Sequence, residues 1–351
     1  MTALIFDPLF LKHDTGRSHP EAPERLLAVM ERLVETGLID RLTRLPARAA
    51  TRDELLAVHA PSYIGMVETL SQHGGGSLDM DTVISSDTWP AATYAAGSSA
   101  AAVAAVMEGI SEDCFVLTRP PGHHAFAGRG SGFCPLNNVA VAATAARQRY
   151  GLARVAIIDW DVHHGNGTQS IVEGDAGFYY ASVHQFPHYP GTGAAEDTGT
   201  AIVHPAPATS PYPSCLNIPL PPGCGDAEYE RVFDELIIPA VRRYQPELIL
   251  VSAGYDGHWD DPLSSMRLSA SGYAAMTRRV KDLAAECCGG RLVLVLEGGY
   301  HTAALAASVA ATLETLLDDA FDDPVGPPRD NALVPDISET VARLLDLHRL
   351  G

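Results

Sequence analysis

The 351-residue chain reads as one α/β domain with a central, mainly parallel β-sheet flanked by helices. Three observations predict this. Short, almost wholly apolar runs recur along the chain, as strands covered on both faces require. Longer amphipathic segments separate them, and strands alternating with helices imply βα units. No internal repeat, low-complexity linker or sharp change of composition divides the chain, so one catalytic-sized domain over 1–351 is expected.

Taken in order, the predicted strands are Ala3–Phe6, Cys114–Thr118, Val155–Asp159, Phe178–Val183, Leu216–Ile218, Leu248–Ser252 and Leu292–Leu296. The predicted helices include Glu24–Thr36, Thr51–Val58, Asn138–Tyr150, Tyr229–Tyr244 and Ser271–Cys287, with a last one ending near Leu347. The alanine-rich stretch Ala91–Val106 is too short and too small-sided for a membrane span, which needs ~20 apolar residues, and reads as a buried helix. Gln185–Ser214 is rich in Pro, Gly, Ala and Thr; a loop that long in a compact domain is usually functional. Asp318–Asn331 is a second irregular stretch.

Hydrophobic residues make up 46% of the chain and charged residues 19%, the composition of a folded domain rather than a disordered one. The net charge is −19, and no Lys/Arg cluster offers a face for phosphates, so no direct nucleic-acid partner is expected. Such acidity can steer cationic partners, but the plainer reading is that it only maintains solubility. Six cysteines without a CxxC pair fit free thiols in a reducing cytoplasm. The start lacks the basic and apolar regions of a signal peptide, so a cytoplasmic location with no membrane partner is expected. A homo-oligomer is left open.

The informative feature is where polar residues fall. In a parallel sheet, ligands bind beyond the carboxyl ends of the strands. Four apolar runs end in unusual clusters: Arg119-Pro120-Pro121-Gly122-His123-His124, Asp159-Trp160-Asp161-Val162-His163, Ser252-Ala253-Gly254-Tyr255-Asp256 and Glu297-Gly298-Gly299-Tyr300. On an extended chain Asp159, Asp161 and His163 share a face. Two carboxylates and an imidazole held together call for a cation. Asp161 and His163 suit zinc, and Asp256 as a third ligand leaves the open position of a catalytic site. His123 and His124 are adjacent and can serve one pocket only from a loop, which Pro120-Pro121-Gly122 provides. One suits a general base and the other charge stabilisation or proton delivery, with Asp159 and Asn166 as partners that set their tautomers. Tyr300, after two glycines, can donate a hydrogen bond to a developing oxyanion.

Together these segments resemble the histone deacetylase and acetylpolyamine amidohydrolase family, part of the arginase-like fold. The resemblance runs over nearly the whole chain. It includes His19-Pro20-Glu21-Ala22-Pro23-Glu24-Arg25, the Arg119–His124 segment, Gly132-Phe133-Cys134, Asp261-Pro262-Leu263 after Asp256, and Glu297–Tyr300. The run Asp159–Gln169 is most like the class II branch, where Asn166 stands in place of the class I Asp.

The resemblance implies one catalytic zinc on Asp161, His163 and Asp256. It implies a His123–Asp159 pair, His124 as general base and acid beside Asn166, and Tyr300 polarising the acyl carbonyl. Phe133 and Tyr189 match the aromatic walls of an acyl-lysine tunnel; Tyr189 stands where Phe is commoner. Leu263 and Gly298 are the other expected substrate contacts. Structural potassium is implied at Asp159, Asp161, His163, Ser182 and Val183, with a farther site near Val172, Asp175 and Phe178.

The implied activity is hydrolysis of an N-acyl-lysine peptide or a similar small acylated amine. Acetylpolyamine hydrolysis is the alternative. Polyamine-preferring class II members carry Glu where Leu263 stands, so a neutral stem is expected, although Glu196 or Asp197 in the long loop can add acidic contacts. An arginase-like dimanganese site needs more carboxylates than these motifs offer. A non-catalytic binding protein on this fold is disfavoured by the complete acid–base and metal set.

Overall fold

The structure is a computed structural model that describes residues 1–199, 213–329 and 332–351. Among the described residues ten strands form: β1 (Thr2–Ile5), β2 (Thr43–Leu45), β3 (Gly75–Ser77), β4 (Val83–Ser85), β5 (Asp113–Val116), β6 (Val155–Asp159), β7 (Phe178–Gln185), β8 (Cys215–Leu220), β9 (Leu248–Ala253) and β10 (Leu292–Leu296). Eight make one sheet in the order β2-β1-β5-β10-β9-β6-β7-β8. Every neighbouring pair in it is parallel. β3 and β4 form a separate antiparallel hairpin.

Uniform apolarity of the central strands follows from burial on both faces. Leu4, Phe115, Ile158, Val251 and Leu294 lie in one core cluster. Their alternating neighbours Ile5, Val116, Ile157, Leu250 and Val293 lie in another. Helices Glu24–Glu35, Ala270–Cys288 and Thr302–Leu316 pack together on the first face. Helices Thr88–Met107 and Asn138–Tyr150 pack on the second. The expected alanine-rich buried helix is therefore present, and it fits because small side chains let helix and sheet approach closely.

The expected elements differ from the structure in detail. The expected Thr51–Val58 helix is the short helix Arg52–Leu56, held by a capping box in which Thr51 and Glu54 exchange hydrogen bonds. The segment expected as one helix over 229–244 is helix Asp226–Val232, a π-turn at Phe233–Ile237 and helix Ile238–Tyr244. Pro239 lies at the start of that last piece and has no N–H to donate, so the regular ladder is interrupted there. β2 and the β3–β4 hairpin went unpredicted: each strand is three residues long, too short to display a period. Much of the long loop, 200–212, lies outside the described residues, as do 330 and 331 of the second irregular stretch.

The strand order positions the site. β5, β10, β9 and β6 are consecutive in the sheet. These are the strands that precede the four polar clusters, so the parallel arrangement delivers all four to one edge.

Candidate active site

β6 ends at Asp159, and the chain then leaves the sheet rather than continuing extended. Two short side-chain turns carry it onward: Asp159 Oδ1 accepts the Asp161 N–H at 3.2 Å, and Asp161 Oδ1 accepts the His163 N–H at 2.9 Å. The three side chains still converge. Asp161, His163 and Asp256 are buried, with one possible ligand atom from each within 4.8 Å of the others. His163 Nδ1 lies 3.1 Å from Asp161 Oδ1 and 3.1 Å from Asp256 Oδ2. Asp256 is held in turn by the Val162 N–H at 2.9 Å. Two buried carboxylates with one imidazole between them carry an excess of negative charge that a dication neutralises, and their O and N donors suit zinc.

His123 and His124 stand side by side on the β5 loop, ring centroids 4.0 Å apart. His123 Nδ1 is 3.1 Å from Asp159 Oδ2, which also accepts the Tyr180 hydroxyl at 2.9 Å. Burial lowers the basicity of His123, but the Asp161 and Asp159 carboxylates outweigh it and lift the pKa to about 10. His124 Nδ1 lies 2.9 Å from Asn166 Oδ1. An amide oxygen only accepts, so the Nδ1 of His124 carries the proton and its Nε2 keeps a free lone pair. Burial first, then the neighbouring His123 and His163, hold His124 well below the usual histidine range. The two histidines are thus pushed in opposite directions: the Asp161 and Asp159 carboxylates raise His123, while burial and two neighbouring imidazoles lower His124. Burial also raises the Tyr300 phenol well above its usual range, so it stays a donor.

A pocket of about 240 Å³ opens onto this cluster, lined by Asp81, His124, Gly132, Phe133, His163, His188, Tyr189, Leu263 and Tyr300. The expected contacts Phe133, Tyr189 and Leu263 are therefore at the pocket, with Phe133 set edge-on to Tyr300 at 5.8 Å. Gly298, the other expected contact, donates its N–H to Asp161 Oδ2 at 2.8 Å. Glu196 and Asp197 line a different cavity of about 440 Å³, with His164 and Asn166, and Glu196 pairs with Arg343.

The expected potassium residues divide. Ser182 sits opposite Asp159 in the β6–β7 register, one residue before Val183. The Ser182 hydroxyl lies 2.9 Å from His184 Nδ1. Val172, Asp175 and Phe178 lie together before and at the start of β7, joined by backbone bonds of 3.3 and 3.0 Å, while the Asp175 carboxylate engages Arg147 at 2.6 Å.

Several site residues escaped the sequence. Asp81 and His188 line the pocket from loops without a motif. Glu297 accepts the Gly122 N–H at 2.6 Å and the His123 N–H at 3.2 Å, so it fixes the loop that carries both histidines. Its signal was visible as a carboxylate ending an apolar run. Arg25, buried, donates to the carbonyls of Glu297 at 2.6 Å and Gly299 at 2.5 Å, and its guanidinium lies 4.9 Å from the Tyr300 ring centre. Glu21 joins Arg25 to Arg119 in a buried ion cluster.

Comparison with known proteins agrees with this architecture. Residues 19–316 match the histone deacetylase domain. The chain is 42% identical over 302 residues to a probable deacetylase of Archaeoglobus fulgidus, covering 86% of this chain and 81% of that protein. It is 38% identical over 325 residues to the human polyamine deacetylase HDAC10, covering 88% of this chain and 46% of that protein. The crystal structure of the HDA15 HD domain superposes with a TM-score of 0.88 at 35% identity, over 99% of this chain and 94% of that one. With the fold, the strand-end clusters and these similarities in agreement, the chain belongs to the histone deacetylase family.

Proposed function

We propose that this protein is a zinc-dependent amidohydrolase that removes acyl groups from N-acyl-lysine side chains or similar acylated amines. The carrying observation is the convergence of Asp161, His163 and Asp256 beside the His123–His124 pair and Tyr300, at the base of one pocket. Asp161, His163 and Asp256 would hold the metal; bound there, zinc supplies a Lewis acid for the acyl carbonyl and acidifies a water. A potassium ion beside Asp159, Asp161, His163, Ser182 and Val183 belongs to the same proposal.

The chain's own groups do the rest. Phe133 and Tyr189 hold the alkyl stem of the substrate and exclude water. His124 takes a proton at Nε2 from the attacking water and returns it to the departing amine. His123, paired with Asp159, keeps positive charge beside the reaction. Tyr300 donates its phenolic hydrogen to the carbonyl oxygen as negative charge grows there.

Leu263 favours an acyl-lysine-like stem, since it offers no charge to a distal ammonium. A polyamine substrate is the second reading, favoured by Asp81 at the pocket and by the net charge of −19. Steering by net charge is screened beyond ~8–10 Å at physiological salt, whereas Leu263 acts at contact distance. The test compares kcat/KM of the zinc-loaded protein for an acetyl-lysine peptide with that for acetylputrescine and acetylspermidine at one ionic strength. Higher efficiency on the peptide, lost in Asp256→Ala, is expected. Higher efficiency on the polyamines overturns the substrate class, and full activity of Asp256→Ala overturns the metal site.

A further inference from the structure

Asp261 belongs to the Asp-Pro pair after Asp256, and the catalytic reading above leaves it without a task. It is 6% exposed. An ionised carboxylate has about four acceptor positions, and buried ones need donors. Asp261 Oδ2 accepts the N–H of Tyr300 at 2.6 Å and that of His301 at 3.2 Å. Its Oδ1 accepts the N–H of Leu263 at 2.9 Å. Two of these three donors, Tyr300 and Leu263, belong to residues lining the pocket.

The need for Asp261 follows from the local backbone. Tyr300 and His301 immediately precede helix Thr302–Leu316, and backbone amides at a helix start lack intrahelical partners. Gly299, at φ +118°, turns the chain sharply out of β10. Arg25 holds the carbonyls of Glu297 and Gly299, and Asp161 holds the Gly298 amide. The Tyr300 amide is the next group along the turn, and it goes to Asp261. Leu263 is bracketed: Asp261 takes its N–H, and its carbonyl lies 2.9 Å from His188 Nε2. One carboxylate therefore joins the turn that carries the phenol to the turn that carries the gate.

We propose that Asp261 is a positioning residue for hydrolysis, setting the places of Tyr300 and Leu263 on the pocket wall. This rests on the role given to Tyr300 under the proposed function. The test is a double-mutant cycle with Asp261→Ala, Tyr300→Phe and the pair, read by kcat on an acetyl-lysine peptide. Misplacing a reacting group by an ångström costs on the order of a hundredfold, so Asp261→Ala is expected to lower kcat by about ten- to a hundredfold. In the Tyr300→Phe background the same change is expected to cost kcat far less than in the wild type, because the phenolic hydroxyl is already gone and only the Leu263 turn remains to be misplaced. Asp261→Asn, whose amide oxygen can still accept the Tyr300 and His301 amides, is expected to recover most of kcat.

Equal losses in both backgrounds overturn the proposal, as does a crystal structure of Asp261→Ala with Tyr300 and Leu263 unmoved. Where Asp261→Ala does not fold, Asp261→Asn carries the same structural test. It keeps one acceptor oxygen, so one of the two turns must shift, and both unmoved overturns the proposal. A wild-type protein inactive on every acylated amine refutes the deacetylase reading instead, while the crystal comparison still judges Asp261.

Discussion

Gly298→Ala is expected to disable the metal cluster while leaving the fold intact. A Cβ at this position would lie 2.1 Å from Asp256 Oδ2 and 2.6 Å from Asp161 Oδ2. Ordinary contact begins near 3.4 Å, so the Asp256 oxygen must retreat by about 1 Å. It has little room to do so, because Asp256 is fully buried and its other oxygen is held by the Val162 N–H at 2.9 Å. Metal sites tolerate only about 0.2 Å in ligand distance. The proposed zinc affinity should therefore fall by at least about 10- to 100-fold, or roughly 1.4–2.7 kcal/mol. Gly298 is not among the residues with positive φ, so alanine imposes no backbone strain there. Zinc affinity is measured by competition with a chromophoric chelator, alongside thermal unfolding and turnover. Gly65→Ala is the control, since nothing lies within 4 Å of its added Cβ. Wild-type zinc affinity and turnover in Gly298→Ala would refute the reasoning.

Other perturbations follow from the same geometry. His124→Ala should lower turnover by ~10²–10⁴-fold yet leave zinc bound, since this imidazole is a proton carrier rather than a ligand; a loss under about fivefold contradicts that role. Leu263→Glu should move kcat/KM toward acetylspermidine and away from the acetyl-lysine peptide, by about 1–3 kcal/mol of discrimination; an unchanged ratio removes Leu263 as the gate. Glu21 concerns stability. Its burial opposes ionisation, but the Arg119 guanidinium overrides this and holds the carboxyl at about 2, below its ordinary 4.5. A depressed carboxyl pKa stabilises above the unfolded value, so this contribution, about 3 kcal/mol, is complete at neutral pH. It is lost as pH falls from about 4.5 through about 2, and Glu21→Gln should flatten that limb of the stability–pH curve. Such a variant also leaves Arg25 and Arg119 without their buried counter-ion, so a loss of about 3–5 kcal/mol at neutral pH is expected in thermal or denaturant unfolding.

The sequence by itself determined what local pattern encodes. Strands buried on both faces read as apolar runs because every side chain in them meets a core, whichever way it points. The break from Ile158 into Asp159, or from Leu296 into Glu297, marks where a strand leaves that core, and such breaks located the candidate ligands, the histidine pair and Tyr300. The period-two grouping of Asp159, Asp161 and His163 led to the cluster that Asp161 and His163 form with Asp256, even though the backbone is extended only as far as Asp159. What only the tertiary structure decided is which partner each group meets. Gly298 binds Asp161 across 137 positions, and Arg25 reaches Glu297 across 272. Nothing periodic in the chain records such pairs, because they depend on β5, β10, β9 and β6 becoming neighbours out of sequence order. For the same reason Glu21, Glu297 and Asp261 read as ordinary motif carboxylates, and Asp81 and His188 as loop residues. A side chain's neighbours across the sheet are set by nonlocal packing, and that packing holds the histidines, the tyrosine and the proposed metal ligands at one strand edge.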